Sequence, residues 1–209
     1  MKTKILFIII FAAAGCKLSG QGITSAVTVY KEFKPAMIQL VDGRKLKQPL
    51  ANIFLKNSSL LYKHGSETME ANLANVRSVE FDDRTYVKID TLLAYRVDTV
   101  ASNALYCAKV IDIEAYRQSL ANNQVITNLS LGELVASTTI DLTDESDTKL
   151  PIIPLYYYNY NGKYVWVHER HLSRMLNKEK RRIMKSVMAQ PGFSWTSEEW
   201  LLKLLKAIS

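Results

Sequence analysis

The tetrapeptide His168-Glu169-Arg170-His171 holds two imidazoles and a carboxylate within four residues, which makes it the first place to look for chemistry. A helical zinc site of the H-E-x-x-H kind needs its histidines four apart, so that both face the metal and the glutamate serves as general base. Here they are three apart, where the pattern changes from strand to helix. A catalytic zinc also takes three protein ligands and a water, and His64 is the only other histidine in the chain. The plainer reading is a strand ending at His168 and a helix that exposes His171. A second set, Asp141, Asp144, Glu145 and Asp147, offers hard oxygen ligands or paired carboxylates. It lacks the interior glycine and distal glutamate of a helix-loop-helix calcium site, so a solvated acidic loop is expected. An envelope hydrolase built on His168, Glu169 and His171, or on the acidic loop, stays as an alternative. No catalytic residue, metal site or cofactor is assigned, because no G-x-S-x-G elbow and no glycine cluster for phosphate is present.

Two further groups suit binding better than catalysis. Tyr156, Tyr157, Tyr158, Tyr160, Tyr164 and Trp166 lie on either side of Asn161-Gly162, the preferred pair for a two-residue type I′ turn. That turn sets Tyr158 opposite Val165 and Tyr156 opposite Val167 on one face. Tyr157 then opposes Trp166, and Asn159 opposes Tyr164, on the other. Alternate residues of a strand face opposite sides, so one side packs a core. The other, with Tyr157, Tyr164 and Trp166, is a candidate aromatic contact surface for a sugar or a partner protein, the plainer reading being that these rings serve core packing alone. The second group is basic. Between residues 169 and 185 the cations far outnumber Glu169 and Glu179, and Lys178, Arg181, Arg182 and Lys185 form a candidate anion-contact face. In a cytosolic chain this would suggest nucleic acid; in an exported one, anionic head groups or an acidic protein surface fit better, and no nucleic acid is expected; the plainer reading is a solvated helix face.

Export is read from the N-terminus. Lys2 and Lys4 precede an apolar run over residues 5–14 that ends in small residues, as in a secretory signal peptide. About ten apolar residues are too few to cross a bilayer, which needs roughly 20. Two exits are possible. Ala13-Ala14-Gly15-Cys16 has the form of a bacterial lipobox, with Ala13 where leucine is commonest, and would leave Cys16 as an acylated first residue. Gly20-Gln21-Gly22 would serve an ordinary signal peptidase and end the leader at residue 22. The lipobox is favoured, giving a periplasm-facing, membrane-anchored protein; the other exit gives a soluble periplasmic or secreted one. Cys107 is then the only thiol of the folded part, so no disulfide framework exists. Its apolar neighbours mark it as a packed small hydrophobe.

The elements that must position these groups are mostly short strands. Runs at 36–41, 52–55, 59–63, 67–71, 76–81 and 85–89 are separated by Asp42-Gly43, Asn57-Ser58, His64-Gly65-Ser66 and Asp82-Asp83, all turn formers. A two-residue turn at Asn57-Ser58 predicts Leu55 opposite Leu60 and Ile53 opposite Tyr62. Asp82-Asp83 predicts Val79 opposite Tyr86. Residues 26–30 read as a first strand. Strands at 92–99 and 104–111 follow around Ser102-Asn103, then a short helix near 112–121 capped by Asp112. Residues 125–129 and 134–140 are again strand-like. After His168 the period becomes helical, with a capping box from Thr196 to Glu199 starting a last helix whose stripe is Trp200, Leu201, Leu204, Leu205 and Ile208.

With 48% hydrophobic and 22% charged residues over 209 positions, and a net charge of +7, the chain is an ordinary globular one rather than disordered or fibrous. The fold class expected is α+β, predominantly antiparallel β: a small rolled sheet or barrel, a following β-hairpin, and C-terminal helices packed against it. The division is a leader to residue 22, a β-rich body over 23–168 with a barrel-like meander at 36–89, and a helical segment over 169–209. The order of strands and turns around Ile38, Leu40, Asp42 and Gly43 resembles the small Sm-like or SH3-like β-barrels of exported proteins of Bacteroidetes. The resemblance covers about a quarter of the chain and implies a binding or scaffolding module, with an envelope protein or glycan as partner and the membrane as second partner if Cys16 is acylated. It carries over no functional residue.

Overall fold

A computed structural model describes residues 20–23, 27–122 and 151–209 of the chain. Cys16, the strand-like runs 125–129 and 134–140, and the acidic loop with Asp141, Asp144, Glu145 and Asp147 lie outside the described residues. The described fold is one open antiparallel sheet with a few helices. In chain order its strands are β1 (Gly20–Ile23), β2 (Lys34–Leu40), β3 (Lys45–Phe54), β4 (Ser59–His64), β5 (Glu67–Ala71), β6 (Val76–Glu80), β7 (Thr85–Ile89), β8 (Leu92–Val100), β9 (Asn103–Ile111), β10 (Ile152–Tyr160) and β11 (Lys163–Trp166). The helices are α1 (Ile113–Asn122), α2 (Glu169–Met175), α3 (Lys178–Met188) and α4 (Glu198–Ile208). Spatial order is β1-β5-β4-β3-β2-β6-β7-β8-β9-β10-β11, with β1 and β11 at its two edges among the described residues. The sheet is therefore not closed, and the meander at 36–89 continues into the later strands through the β7–β8 hairpin.

Local chemistry explains most of the pairings, and also where they depart from expectation. At Asp82-Asp83 the ladder sets Val79 opposite Tyr86 and Ser78 opposite Val87. The turn at Asn161-Gly162 holds both residues at positive φ, 51° and 79°, as type I′ requires, and Tyr158 faces Val165. The Asn57-Ser58 hairpin has slipped by two residues: Ile53 faces Leu60, and Ala51 faces Tyr62. Leu55 has left that ladder because its backbone bonds Val27 O and receives Ile111 N–H. Ser58 takes φ 51° and donates its hydroxyl to Leu93 O at 2.7 Å. A slip of two keeps each side chain on its face. The β8–β9 turn is Ala101-Ser102, not Ser102-Asn103, and Asn103 is a buried strand residue. Of the first strand expected over 26–30, residue 26 lies outside the described residues, and within 27–30 Thr28 makes a lone bridge to Phe54.

β3 is interrupted midway. It pairs β2 through residues 45–48 and again at Ala51, with a register shift around Pro49, and pairs β4 from Ala51 to Phe54. Proline has no N–H to give a ladder, so it sits where the pairing is already interrupted. Beyond that shift Ala51, Ile53, Phe54 and, on β4, Leu60 and Leu61 are fully or almost fully buried. Ala51, Ile53 and Leu60 join Ile38, Val76, Val79, Phe81 and Tyr86 in one core.

The second core lies between β8–β11 and the helices. Leu201, Leu204, Leu205 and Ile208 of α4 and Met184 of α3 are wholly buried against Leu105, Cys107 and Tyr158. The N-cap of α4 is Ser197, which accepts from Trp200 N–H, while Thr196 meets Ser194; the position three residues after the cap is Trp200 rather than Glu199, so the helix starts on a single cap in place of the capping box expected from Thr196 to Glu199. Three alternate tyrosines of β10 fasten this helix. Tyr156 reaches Thr196 O and Glu198 at the start, Tyr158 donates to Leu201 O at 2.6 Å, and Tyr160 donates to Ile208 O at 2.7 Å. Lys180 of α3 donates to Tyr160 Oη and to Ser209 O. A cation and hydroxyl at the C-terminal end of a helix satisfy carbonyls that have no intrahelical partner and oppose the dipole favourably.

Candidate functional site

The opposite face of the same strands presents the aromatic side chains. Strand pleating puts Arg96 on β8, Tyr106 on β9, Tyr157 on β10 and Trp166 on β11 directly opposite one another in sequence across four strands. At about 4.8 Å per strand the row is roughly 14 Å long. Tyr164 stands beside it, its ring edge-on to Tyr106 at 5.4 Å between centroids. Tyr106 is buried and Tyr157 half-buried, but Tyr164 and Trp166 keep 42% and 45% of their surface in solvent. Burial raises the phenol pKa of both Tyr106 and Tyr157, so they remain neutral donors. Tyr157, Tyr164 and Trp166 are thus brought onto one face. Tyr106 and Arg96 were missed in the sequence because their membership depends on which strands neighbour β10, and β9 is separated from it by the helix α1 and the stretch after it.

At the arginine end lies a cavity of about 450 Å³ lined by Asp83, Arg84, Thr85, Val87, Arg96 and Tyr106. Arg84 stacks on Tyr95 at 4.4 Å and stands 3.5 Å from Asp83. Asp83 is already held by Tyr30 Oη at 2.8 Å and Lys34 Nζ at 3.1 Å. Its partial burial works against the charged form, but these two hydrogen bonds prevail and hold the carboxyl below its ordinary range. Arg96 makes no ion pair among the described residues.

At the other end, His168 lies between two indoles, 5.7 Å from Trp166 and 6.3 Å from Trp195, and is nearly parallel to the second. His171 is 5.3 Å from Trp166 and 6.2 Å from His168. His168 caps α2 by accepting Arg170 N–H on Nδ1 at 3.3 Å. Among the described residues no three His, Cys, Asp or Glu side chains gather closely enough to hold a metal ion. Glu169 is exposed on the first turn of α2, where its charge suits the helix dipole.

The basic helix divides by face. Met184 and Val187 enter the core and Lys180 caps α4, while Lys178, Arg181, Arg182 and Lys185 are exposed and make no ion pair among the described residues. Cys107 is wholly buried, and burial raises its thiol pKa. No helix among the described residues is long and apolar enough to cross a membrane. No protein family, curated protein or solved structure matches the chain.

Proposed function

We propose that the protein is a non-catalytic, exported cell-envelope protein, lipid-anchored at Cys16, which binds an envelope glycan or protein through the aromatic face of β9–β11. One observation carries the binding role: large aromatic rings in a straight row, with Tyr164 and Trp166 open to solvent at its outer end. Exposed aromatic side chains collected on a rigid sheet supply area for stacking at little entropic cost. The sheet fixes their spacing before any ligand arrives. Retention of the folded protein on purified cell-wall glycan, lost in a Tyr164→Ala, Trp166→Ala double variant, is the expected result. Retention equal in the double variant removes the aromatic face from the account.

The lipobox exit has its own support. β1 pairs with β5 through Gly20 to Ile23. Cleavage after Gly22 would discard most of that strand, whereas cleavage before Cys16 retains it. Incorporation of a fatty-acid analogue that disappears in Cys16→Ala tests the anchor; no incorporation in the natural sequence rules it out. The local order β5-β4-β3-β2-β6, the register shift in the β2–β3 ladder and the 3-10 turn Leu73–Asn75 before β6 support reading β2–β6 as a rolled unit of the SH3-like kind.

The exposed cations of α3 favour a second reading, contact with an anionic membrane surface. Lys178, Arg181, Arg182 and Lys185 would then drive binding to anionic vesicles that weakens with salt. Charge reversal at Arg181 and Arg182 is expected to abolish it, and binding indifferent to both changes excludes it.

A further inference from the structure

The geometry points to an acidic oligosaccharide, one bearing a uronic acid, as the ligand of the aromatic row, with Arg96 receiving its carboxylate; this rests on the binding role proposed for that face. Three observations converge. The row begins with a cation and continues with rings: Arg96, Tyr106, Tyr157 and Trp166 are successive cross-strand partners. The arginine end opens into a cavity of about 450 Å³, while the tryptophan end is exposed, so a chain of rings can enter from one side and end in a pocket. Arg96 is exposed and has no carboxylate partner among the described residues, whereas the neighbouring Asp83 is engaged by Lys34 and Tyr30. A guanidinium presents parallel donors that match a carboxylate's two oxygens. The faces of Tyr164 and Trp166 match the C–H faces of pyranose rings, and Thr85 in the cavity wall can meet a sugar hydroxyl.

The two ends make different demands. A neutral glycan uses the rings and leaves Arg96 in water. A simple polyanion uses Arg96 and Arg84 and gains nothing from the rings. Only a sugar acid uses both, and its length must span the row. Specificity of this kind is a difference between two affinities rather than one strong contact.

The test is titration of the folded chain, by calorimetry and tryptophan fluorescence, with three probes: an oligogalacturonate, an N-acetylglucosamine oligomer and poly-glutamate of matched charge. The expected result is saturable binding of the oligogalacturonate that falls at least about tenfold in Arg96→Gln, the loss expected for one charge-assisted pair, and that also weakens in Trp166→Ala, which removes a stacking ring. Arg96 and Trp166 are both exposed, and circular dichroism with a melting curve shows that each variant remains folded. Poly-glutamate binding as tightly as the oligogalacturonate overturns the inference in favour of charge alone. Neutral oligomer binding equally well, with Arg96→Gln silent, overturns the acidic class but leaves the aromatic face in place. Absence of binding by both sugars overturns the inference, and retention on cell-wall glycan separately decides the aromatic face.

Discussion

Tyr158 shows how one atom can decide a packing. Its ring is fully buried and its hydroxyl donates to Leu201 O, a carbonyl near the start of α4. Tyr158→Phe keeps the ring and removes the bond. The expected loss is about 1 kcal/mol, the usual net worth of an intramolecular hydrogen bond, read from urea unfolding. Asp83 shows the same logic for a charge. Burial opposes its carboxylate, yet Tyr30 and Lys34 hold the folded pKa below the ordinary value of about 3.9. A depressed folded pKa contributes stability above the unfolded value, and the contribution disappears as pH falls through the folded one. Asp83→Asn should therefore flatten the acid limb of a stability-against-pH curve below about pH 4, measured as the urea midpoint at each pH. An unchanged limb would assign acid sensitivity to other carboxylates.

Asn52 is the corresponding feature at the scale of elements. It is wholly buried, its amide donates to Tyr30 O and Glu32 O, and its oxygen accepts from Tyr30 N–H and Ile53 N–H. One side chain thus lashes residues 30–32 to the inside of β3. Asn52→Ala strands several buried polar groups, and a cost of about 2–4 kcal/mol is expected, with faster amide exchange confined first to residues 27–33. Nothing in the order of amino acids announces that role: Asn52 reads only as the first residue of a strand over 52–55, and its partners lie some twenty positions earlier. Legibility followed the range of the interaction. The hairpins at Asp82-Asp83 and Asn161-Gly162 are set by two adjacent residues, and their registers could be read directly. The hairpin after Phe54 slipped because Leu55 answers to Val27 and Ile111, partners far along the chain. Tyr157, Tyr164 and Trp166 fall on one face by alternation alone. Arg96 and Tyr106 join them only through the pairing of β9 with β10.

The molecule as a whole is a sheet with two unlike sides in its second half. One side is closed by α2–α4, and the inward stripe of α4 is wholly buried. Leu204→Ala should cost about 2–5 kcal/mol and lower the melting temperature, because the rigid sheet beneath cannot collapse into the gap. A loss well under that range would mean that α4 rests loosely on the strands. The three fastened tyrosines of β10 have one more use. Eleven tyrosines are present, and a reagent that nitrates phenols selects those with an open ring edge. Tyr156, Tyr158 and Tyr160 should resist it in the native state, while Tyr164 should be modified early. The molecule therefore carries its own footprinting dye: mass spectrometry of the peptide spanning residues 156–164 would report, at a single position, whether something is sitting on the sheet.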